Sequence, residues 1–357
     1  MKTLTTIFFN ILIIALLLLF VEIFFGGWLD KNNLGAYFRE HRMKKVDYSI
    51  KYKNEILNYT YKRNYHGFRG EAIKPKNIKA VFIGGSTADE RWKPAKLSIV
   101  ELLNKKLQAD KIDLKIINAG IEGQSTTGYI ANFKFWFSKL EDFKPDYFIF
   151  YTGINELNKQ DFNVFDYSDG QAKLIDKNKK NVFFDNLKSK SFFYDSLRKI
   201  KHKYYTRDVA KTIFMDIDNQ ILKIKPPAKY GLKNYKYITF NESLKRNNIS
   251  ELLNEEDKFI KGYLNNIDII KNYVDSFSAK AIFINQVTAF GGFSKRHLAL
   301  NYSLINHCNV KNYTCIDFAG EFKGKKEYWY DLNHTTPLGS QVISDVIYPK
   351  IKEIVKN

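Results

Sequence analysis

Short apolar runs that stop at glycine-containing or small polar loops recur along this chain, and they constrain its fold more than any other feature. Three of them occupy residues 78–83, 114–117 and 147–151. The loops that follow them are Gly84-Gly85, Asn118-Ala119-Gly120 and Thr152-Gly153. Because these runs have strand length, contain β-branched and aromatic residues and end at turn-forming residues, they predict buried strands.

Helical patterns alternate with these strands. One helix is predicted through Leu102-Leu103 and an aromatic one over Tyr129 to Leu140. Towards the carboxyl terminus the pattern continues with a helix over residues 259–277, strands over 280–287 and 313–318, and a closing helix after Pro337. Alternation of this kind is typical of a parallel sheet covered by helices on both faces. The sequence therefore predicts an α/β fold.

The length of 357 residues predicts one large domain with an anchor and insertions, because it exceeds the usual single core but falls short of two full domains. Residues 1–29 are predicted as the anchor, residues 30–75 as a charged stalk with scattered tyrosines, and residues 76–357 as the domain. Residues 160–255 lose the regular alternation and are rich in Lys and Asn, which predicts a lid-like insertion.

The anchor is predicted from residues 7–25, which are apolar apart from Asn10 and Glu22. At about 1.5 Å per helical residue, this run approaches the ~30 Å thickness of the hydrocarbon layer. A cleavable signal peptide would have a shorter apolar region and a small-residue cleavage site, whereas here the run continues into Gly26-Gly27-Trp28. We therefore expect an uncleaved, single-pass signal anchor.

Charges near the anchor give opposing indications of its orientation. Lys2 precedes the span, whereas Lys31, Arg39, Arg42, Lys44 and Lys45 follow it. Read literally, the positive-inside rule disfavours export of the domain. A very short amino-terminal tail followed at once by a long apolar run nevertheless has the layout of an export signal, and two acidic residues dilute the positive charges. We favour a domain on the extracytoplasmic side.

The net charge of +19 would suit any polyanion, whether a nucleic acid, an anionic membrane surface or an acidic polysaccharide. No basic tract is dense enough to choose among them. The enrichment in Lys, Asn, Ile, Tyr and Phe extends across the whole composition, and a solvated surface explains the charge without a dedicated partner. We therefore expect no nucleic-acid partner.

Cysteine and histidine usage is sparse. Cys308 and Cys315 could pair in an oxidising compartment or stay free in a reducing one, and the sequence leaves both possibilities open. The histidines at positions 41, 66, 202, 297 and 307 show no paired metal-ligand spacing with acidic or cysteine neighbours. We expect no metal and no cofactor.

Ser86 is the strongest candidate for a reactive side chain. It follows Gly84-Gly85 at a predicted turn from strand to helix, where a hydroxyl emerges at the sheet edge that binds ligands in open parallel sheets. Taken alone, the residue could equally cap the helix, or the glycines could cradle a phosphate. The glycine patterns of dinucleotide and nucleoside-triphosphate sites are absent from this turn, which weakens the phosphate alternative.

Three further loops carry polar residues at corresponding places. They are the stretches 118–125, 153–156 and 331–334, with sequences Asn-Ala-Gly-Ile-Glu-Gly-Gln-Ser, Gly-Ile-Asn-Glu and Asp-Leu-Asn-His. In the last of these, the spacing of three lets the Asp331 carboxylate hold one imidazole nitrogen of His334 while the other nitrogen faces a serine. Each loop alone has a structural explanation, but the order and context of all four together are specific.

These loops resemble the signature blocks of SGNH (GDSL-like) hydrolases, over most of residues 78–345. Ser86 matches the nucleophile, Gly123 the glycine of the second block, Asn155 the asparagine of the third, and Asp331 with His334 the last. Gly85 replaces the Asp of the better-known G-D-S form, and Glu156 replaces the Asp of the third block. The Gly-Gly-Ser-Thr form and Gly67-Phe68-Arg69-Gly70 resemble bacterial, membrane-anchored members.

The resemblance implies a flavodoxin-like, three-layer α/β/α fold and a serine hydrolase. Ser86, His334 and Asp331 would form the catalytic triad, and the backbone amides of Ser86 and Gly123 with the Asn155 side chain would form the oxyanion hole. The expected substrate is an O-acyl ester, such as acetyl, on a cell-envelope carbohydrate or lipid. Two alternatives remain open: an O-acyltransferase with the same triad, and a non-catalytic envelope-binding module.

Overall fold

The computed structural model describes residues 2–29, 42, 44–52, 55–159, 161–162, 184, 187–188, 190–197, 200, 236–289 and 294–356. Most of the predicted lid-like insertion, 160–255, lies outside the described residues, as do residues 30–41 of the predicted stalk.

A five-stranded parallel sheet forms the centre of the molecule. Its strands are β3 (Ala80–Gly84), β4 (Ile116–Asn118), β5 (Tyr147–Tyr151), β6 (Lys280–Ile284) and β7 (Thr314–Ile316), in the spatial order β4-β3-β5-β6-β7. The chain leaves β3 towards β4 on one side and then crosses back to β5 on the other. This is the flavodoxin-like order, and its topological switch point lies between the carboxyl ends of β3 and β5.

Helices cover the sheet in two groups. The helices whose bounds the structure gives in full are α1 (Lys2–Phe25), α2 (Ser86–Asp89), α3 (Ile99–Ala109), α4 (Thr126–Phe135), α5 (Phe240–Arg246), α6 (Ile249–Glu255), α7 (Asp257–Ser276), α8 (Lys295–Lys311), α9 (Phe318–Glu321) and α10 (Pro337–Lys356). α3 packs against α10, whereas α4 packs against α7 and α7 against α8. The predicted three-layer α/β/α class is confirmed.

Four of the five predicted strands are shorter in the structure, and two of them end or begin early for identifiable reasons. The first begins at Ala80 because Ile78 closes a 3₁₀ turn, its amide donating to the Pro75 carbonyl at 3.0 Å. The strand predicted over residues 280–287 ends at Ile284. Beyond that point the Asn285 side chain is used to join loops instead, donating to Asp317 at 2.7 Å.

An antiparallel hairpin precedes the parallel sheet. It consists of β1 (Lys45–Tyr52) and β2 (Glu55–Lys62), and it falls within the segment predicted as a stalk. Ile50 and Tyr61 of this hairpin are buried, and so is Phe68 just beyond it. The Phe68 ring lies 4.8 Å from the Trp136 ring in the aromatic core. The described residues of the segment 44–75 therefore pack against the domain.

A buried ion pair fixes this hairpin to the sheet edge. The Arg63 guanidinium lies 3.0 Å from the Asp89 carboxylate, and each side chain is only 1% exposed. Burial alone would raise the pKa of Asp89, but nearby Arg63, Arg91 and Arg69 outweigh it and lower that pKa. Arg63 also donates to the Gly120 carbonyl at 2.7 Å. One side chain thus joins the hairpin, α2 and the loop after β4.

The amino-terminal helix α1 stands apart from this core. It is 24 residues long, and its apolar side chains are exposed along its length. By length and composition it can cross a membrane, as a membrane anchor or as a signal sequence.

Near the other end of the chain, a disulfide joins Cys308 of α8 to Cys315 of β7, with their Cα atoms 6.2 Å apart. The structure thus pairs the two cysteines that the sequence left open.

Removing the buried cation should destabilise the fold strongly. We expect Arg63→Met to lower the free energy of unfolding by about 3–5 kcal/mol, because it leaves the buried Asp89 carboxylate short of its partner. The matched control is Lys62→Met, at the residue that directly precedes Arg63. Lys62 pairs with Glu71 at 2.8 Å, but the two side chains are 42% and 82% exposed. Its loss should cost less than about 1 kcal/mol.

Chemical denaturation of the full chain in detergent measures both values. Equal losses of stability in the two variants would contradict a structural role for the buried pair.

Candidate active site

The candidate site lies at the switch point, where the loops after β3 and β5 meet. Ser86 is the first residue of α2 and follows β3 after a single residue, Gly85. A Cβ atom placed on Gly85 would lie 1.9 Å from Nδ2 of Asn155, in the loop after β5. Glycine at position 85 therefore lets the Asn155 amide lie directly against the backbone that precedes Ser86.

Ser86, His334 and Asp331 form a continuous chain of hydrogen bonds. Nε2 of His334 lies 2.9 Å from Oγ of Ser86, and Nδ1 of His334 lies 2.7 Å from Oδ2 of Asp331. The carboxylate favours a proton on Nδ1, because it accepts a hydrogen bond there. Nε2 is then an acceptor that faces the serine hydroxyl. The structure thus brings together the three residues predicted as the triad.

Hydrogen bonds to its backbone amides and carbonyls hold the loop that carries His334 in place. Oδ1 of Asp331 accepts hydrogen bonds from the amides of Asn333 and His334, both at 2.8 Å. Tyr330 donates its amide to the His334 carbonyl at 2.8 Å, and Ala289 donates to the Leu332 carbonyl at 2.7 Å. The two carboxylate oxygens of Asp331 therefore have different roles. Oδ1 holds the loop backbone, and Oδ2 orients the imidazole of His334.

The pKa of Asp331 reflects these bonds. Burial alone would raise it, but the hydrogen bond and charge of His334, together with the amides of Asn333 and His334, lower the pKa below its ordinary value. Asp331 therefore stays ionised across the neutral range. An ionised carboxylate at this place stabilises an imidazolium on its partner.

Asn155 is fixed in its place by a neighbouring loop. Its Nδ2 donates to the Gln124 carbonyl at 2.7 Å, which occupies one of its two amide hydrogens. The Gln124 side chain forms a reciprocal amide pair with Asn132, at 3.0 and 2.9 Å. Gly123 directly precedes Gln124 and has a φ of +75°, a conformation that favours glycine. The predicted oxyanion residues Asn155 and Gly123 thus belong to adjoining loops.

A buried carboxylate joins the loops around Asn155. Glu156, the second departure from the family pattern, accepts hydrogen bonds from the Thr126 amide at 2.6 Å and the Gly153 amide at 3.1 Å. Gln286, after β6, accepts from the Ile154 amide at 2.9 Å. Glutamate at position 156 therefore serves the architecture, with its carboxylate turned to backbone amides of two loops.

A second buried pair lies beside the triad, and sequence reasoning missed it. Nζ of Lys93 lies 2.7 Å from Oε1 of Glu90 and 2.9 Å from Oγ1 of Thr335, the residue after His334. Burial lowers the pKa of Lys93, and the Glu90 carboxylate opposes that effect. Glu90 also accepts from the Ile99 amide, at 2.6 Å, and has a left-handed φ of +47°. Nothing in the local sequence distinguishes these charges from surface ones.

The site lies in a small pocket with a cavity volume of about 10 Å³. Its lining combines the serine and histidine with the buried pair: Ser86, Thr87, Glu90, Trp92, Lys93, His334 and Thr335. In the parts of the chain that the structure describes, no group of three or more His, Cys, Asp or Glu side chains is placed to hold a metal ion.

Comparisons with known proteins give structural likenesses alone. No protein-family profile matches the sequence, and no curated protein sequence matches it. Solved structures that align with the chain include a psychrotrophic esterase from Pseudoalteromonas sp., at 13% identity and a TM-score of 0.43, covering 78% of this chain and 100% of that one.

Two others are a lipolytic protein of the G-D-S-L family from Desulfitobacterium hafniense and an acetylxylan esterase from Geobacillus stearothermophilus. The first is 10% identical with a TM-score of 0.39, covering 76% of this chain and 98% of that one. The second is 10% identical with a TM-score of 0.41, covering 77% and 94%. At these scores, the chemistry of this chain must be argued from its own residues.

The ionised Asp331 should make a pH-dependent contribution to stability. Its pKa is lowered in the folded chain below the ordinary 3.8, so the contribution is present above about pH 4 and is lost as the pH falls through the folded pKa. We therefore expect the stability difference between wild type and Asp331→Asn to hold at about pH 5 and to shrink as the pH falls below about 4.

Denaturation of both proteins across this pH range measures the difference. Leu332→Ala, in the same loop, is the control, because its effect should not change with pH. A gap between wild type and Asp331→Asn that stays constant down to the acid end would contradict the assigned ionisation.

Proposed function

We propose that this chain is a membrane-anchored serine hydrolase of the SGNH (GDSL-like) type, which cleaves O-acyl esters with Ser86 as nucleophile. The observation that carries the proposal is the hydrogen-bonded chain from Ser86 through His334 to Asp331 at the switch point. Ser86 is partly exposed, so a substrate carbonyl can reach its hydroxyl. The signature residues of the four loops support the same assignment.

In the first step, Oγ of Ser86 attacks the ester carbonyl carbon while Nε2 of His334 takes the hydroxyl proton. Asp331 keeps its charge and stabilises the imidazolium. The carbonyl oxygen becomes an oxyanion, and three donors are available for it: the amides of Ser86 and Gly123 and the second amide hydrogen of Asn155. Because Asn155 is already fixed by the Gln124 carbonyl, this donor needs no reorganisation during the reaction.

Collapse of the tetrahedral intermediate breaks the bond to the alcohol, which leaves with the proton from His334. Ser86 then carries the acyl group. Water activated by His334 attacks this ester, releases a carboxylic acid and restores the serine. If a sugar hydroxyl enters in place of water, the same steps make the enzyme an O-acyltransferase, which is the alternative function.

We favour a short acyl group such as acetyl, because the pocket beside Ser86 is small and the buried Glu90, Lys93 and Thr335 close its wall. Trp92 offers an apolar surface beside the serine. The apolar helix α1 and the disulfide between Cys308 and Cys315 support a tethered domain in an oxidising, extracytoplasmic compartment. A carbohydrate or lipid of the cell envelope is the substrate that fits this position.

The nucleophile is tested with the full chain in detergent. We expect wild-type protein to release nitrophenol from nitrophenyl acetate and to be labelled by a fluorophosphonate probe, and Ser86→Ala to lose both signals. Ser138→Ala, at an exposed serine, is the control and should behave as wild type. Folded wild-type protein that gives neither signal would overturn the enzymatic proposal and favour the non-catalytic envelope-binding module.

Replacing the Asn155 side chain should slow the reaction without preventing binding. We expect Asn155→Ala to lower kcat by a factor on the order of 10²–10³ with little change in KM, because the lost hydrogen bond acts on the oxyanion. Asn158→Ala is a matched control, since Asn158 ends the same 3₁₀ turn and is exposed. A loss confined to KM would contradict the role in the oxyanion hole.

A further inference from the structure

Glu22 is the acidic residue within the apolar run of α1, and the proposed reaction makes no use of it. A carboxylate in a membrane span is costly unless it has a partner, so its contacts indicate what it is for. Glu22 lies three residues before the end of α1 at Phe25, which places it about 5 Å from the helix end at ~1.5 Å per residue. Its carboxylate is therefore close to the boundary of the proposed span.

Both oxygens of the Glu22 carboxylate accept hydrogen bonds. Oε1 accepts from the indole Nε1 of Trp28 at 3.0 Å. Oε2 accepts from the backbone amide of Phe193 at 3.2 Å, which is 171 residues away along the chain. Phe193 belongs to the described part of the insertion. The carboxylate therefore ties a distant segment to the end of the anchor.

Two further contacts hold that segment in place. The Gly27 amide donates to the Lys190 carbonyl at 2.7 Å. The rings of Phe25 and Phe192 lie 5.7 Å apart. We call residues 187–188, 190–197 and 200 the docked segment; most of residues 190–197 are helical. It is joined to the end of α1 by three contacts: a hydrogen bond to the Glu22 carboxylate, a backbone hydrogen bond and a contact between two aromatic rings.

The docked segment concentrates exposed apolar side chains. Outside residues 4–29, ten large apolar side chains of the described chain are exposed, and six of them lie between positions 184 and 200. They are Phe184, Leu187, Phe193, Tyr194, Leu197 and Ile200. Within the helix, Phe193 and Tyr194 precede Leu197 by four and three residues, so the three side chains share one face. A contiguous exposed apolar face of this kind marks an interaction surface.

Positive charge accompanies this face. Lys188 and Lys190 belong to the docked segment, and Lys139 of the domain lies near Lys190. The pKa of Lys139 is lowered by burial and by the charge of Lys190. Apolar side chains beside lysines are the composition with which helices lie in the headgroup region of anionic bilayers.

We propose that the docked segment lies in the surface of the same bilayer that α1 spans, with Phe193, Tyr194 and Leu197 in the lipid and the lysines at the headgroups. Glu22 is the acceptor that fixes it to the end of the anchor. The partner is the lipid bilayer, because the segment directly contacts the end of the proposed membrane helix. The inference rests on α1 spanning the membrane and is independent of catalysis at Ser86.

The test uses full-length protein in nanodiscs of phosphatidylcholine and phosphatidylglycerol. The native cysteines are paired, so a single introduced cysteine can carry a nitroxide label. Leu197→Cys reports on the docked segment, and Val310→Cys is the matched control, because the two side chains are 66% and 82% exposed in the structure. Leu16→Cys reports on α1 itself.

We expect the ratio of oxygen to nickel-chelate accessibility at residue 197 to exceed that at residue 310 severalfold and to approach that at residue 16. If residue 16 is buried in lipid and residue 197 matches residue 310, the inference is overturned while the anchor stands. If residue 16 is itself accessible to the nickel chelate, both the anchor and the inference fail. A loss of accessibility to both reagents at residue 197 would indicate a protein contact and would also overturn the inference.

The role of Glu22 is tested separately. We expect Glu22→Leu to make the label at residue 197 more mobile, because the acceptor for the Phe193 amide is gone while the anchor becomes more apolar. Asn10→Leu, at the other polar position of the run, is the matched control and should leave that mobility unchanged. Equal mobility in Glu22→Leu and wild type would overturn the docking role of the carboxylate.

Discussion

The buried charge of Asp89 is the constraint on which the active-site edge depends. A carboxylate out of water must be matched by cations and donors, and here Arg63 supplies both from a separate hairpin. Because Asp89 ends the short helix that begins at Ser86, meeting its electrostatic requirement also fixes the turn that presents the serine. Arg69 adds hydrogen bonds to the carbonyls of Asp89 and Lys93. Ser86 is thus positioned by residues from outside the parallel sheet.

The same logic extends to the histidine. Glu90, next after Asp89, pairs with the buried Lys93, which reaches Thr335 beside His334. The adjacent carboxylates of Asp89 and Glu90 therefore point in different directions. Asp89 faces Arg63 beside the hairpin, and Glu90 faces the loop that carries His334. Leaving any buried polar group of this network unpaired would cost free energy. Few other arrangements of these side chains are therefore stable. Rigidity of this kind suits a reaction that requires the Ser86 and His334 atoms within hydrogen-bond distance.

The sequence predicted those parts of the molecule that local patterns encode. The strand runs and their terminal glycines were enough for the fold class. The resemblance of four loops, in order, to the signature blocks of a known family pointed to Ser86, Asn155, Asp331 and His334 as a group. The buried Arg63 was missed, because a charged residue among tyrosines has the composition of a solvated stalk until its distant partner is known. Which polar residues pair over long distances depends on tertiary contacts, and hydrophobic periodicity in the sequence carries no information about them.

The hairpin has a consequence for how such a protein could be released from a membrane. A protease that cuts the chain before Lys45 would shed a domain that keeps Arg63 and the buried aromatic Phe68. A cut beyond residue 70 would instead separate the hairpin from the sheet and leave Asp89 without its principal cation. In the proposed anchored protein, the two cuts would therefore have different results, because only the first leaves Arg63 in the released chain beside Asp89.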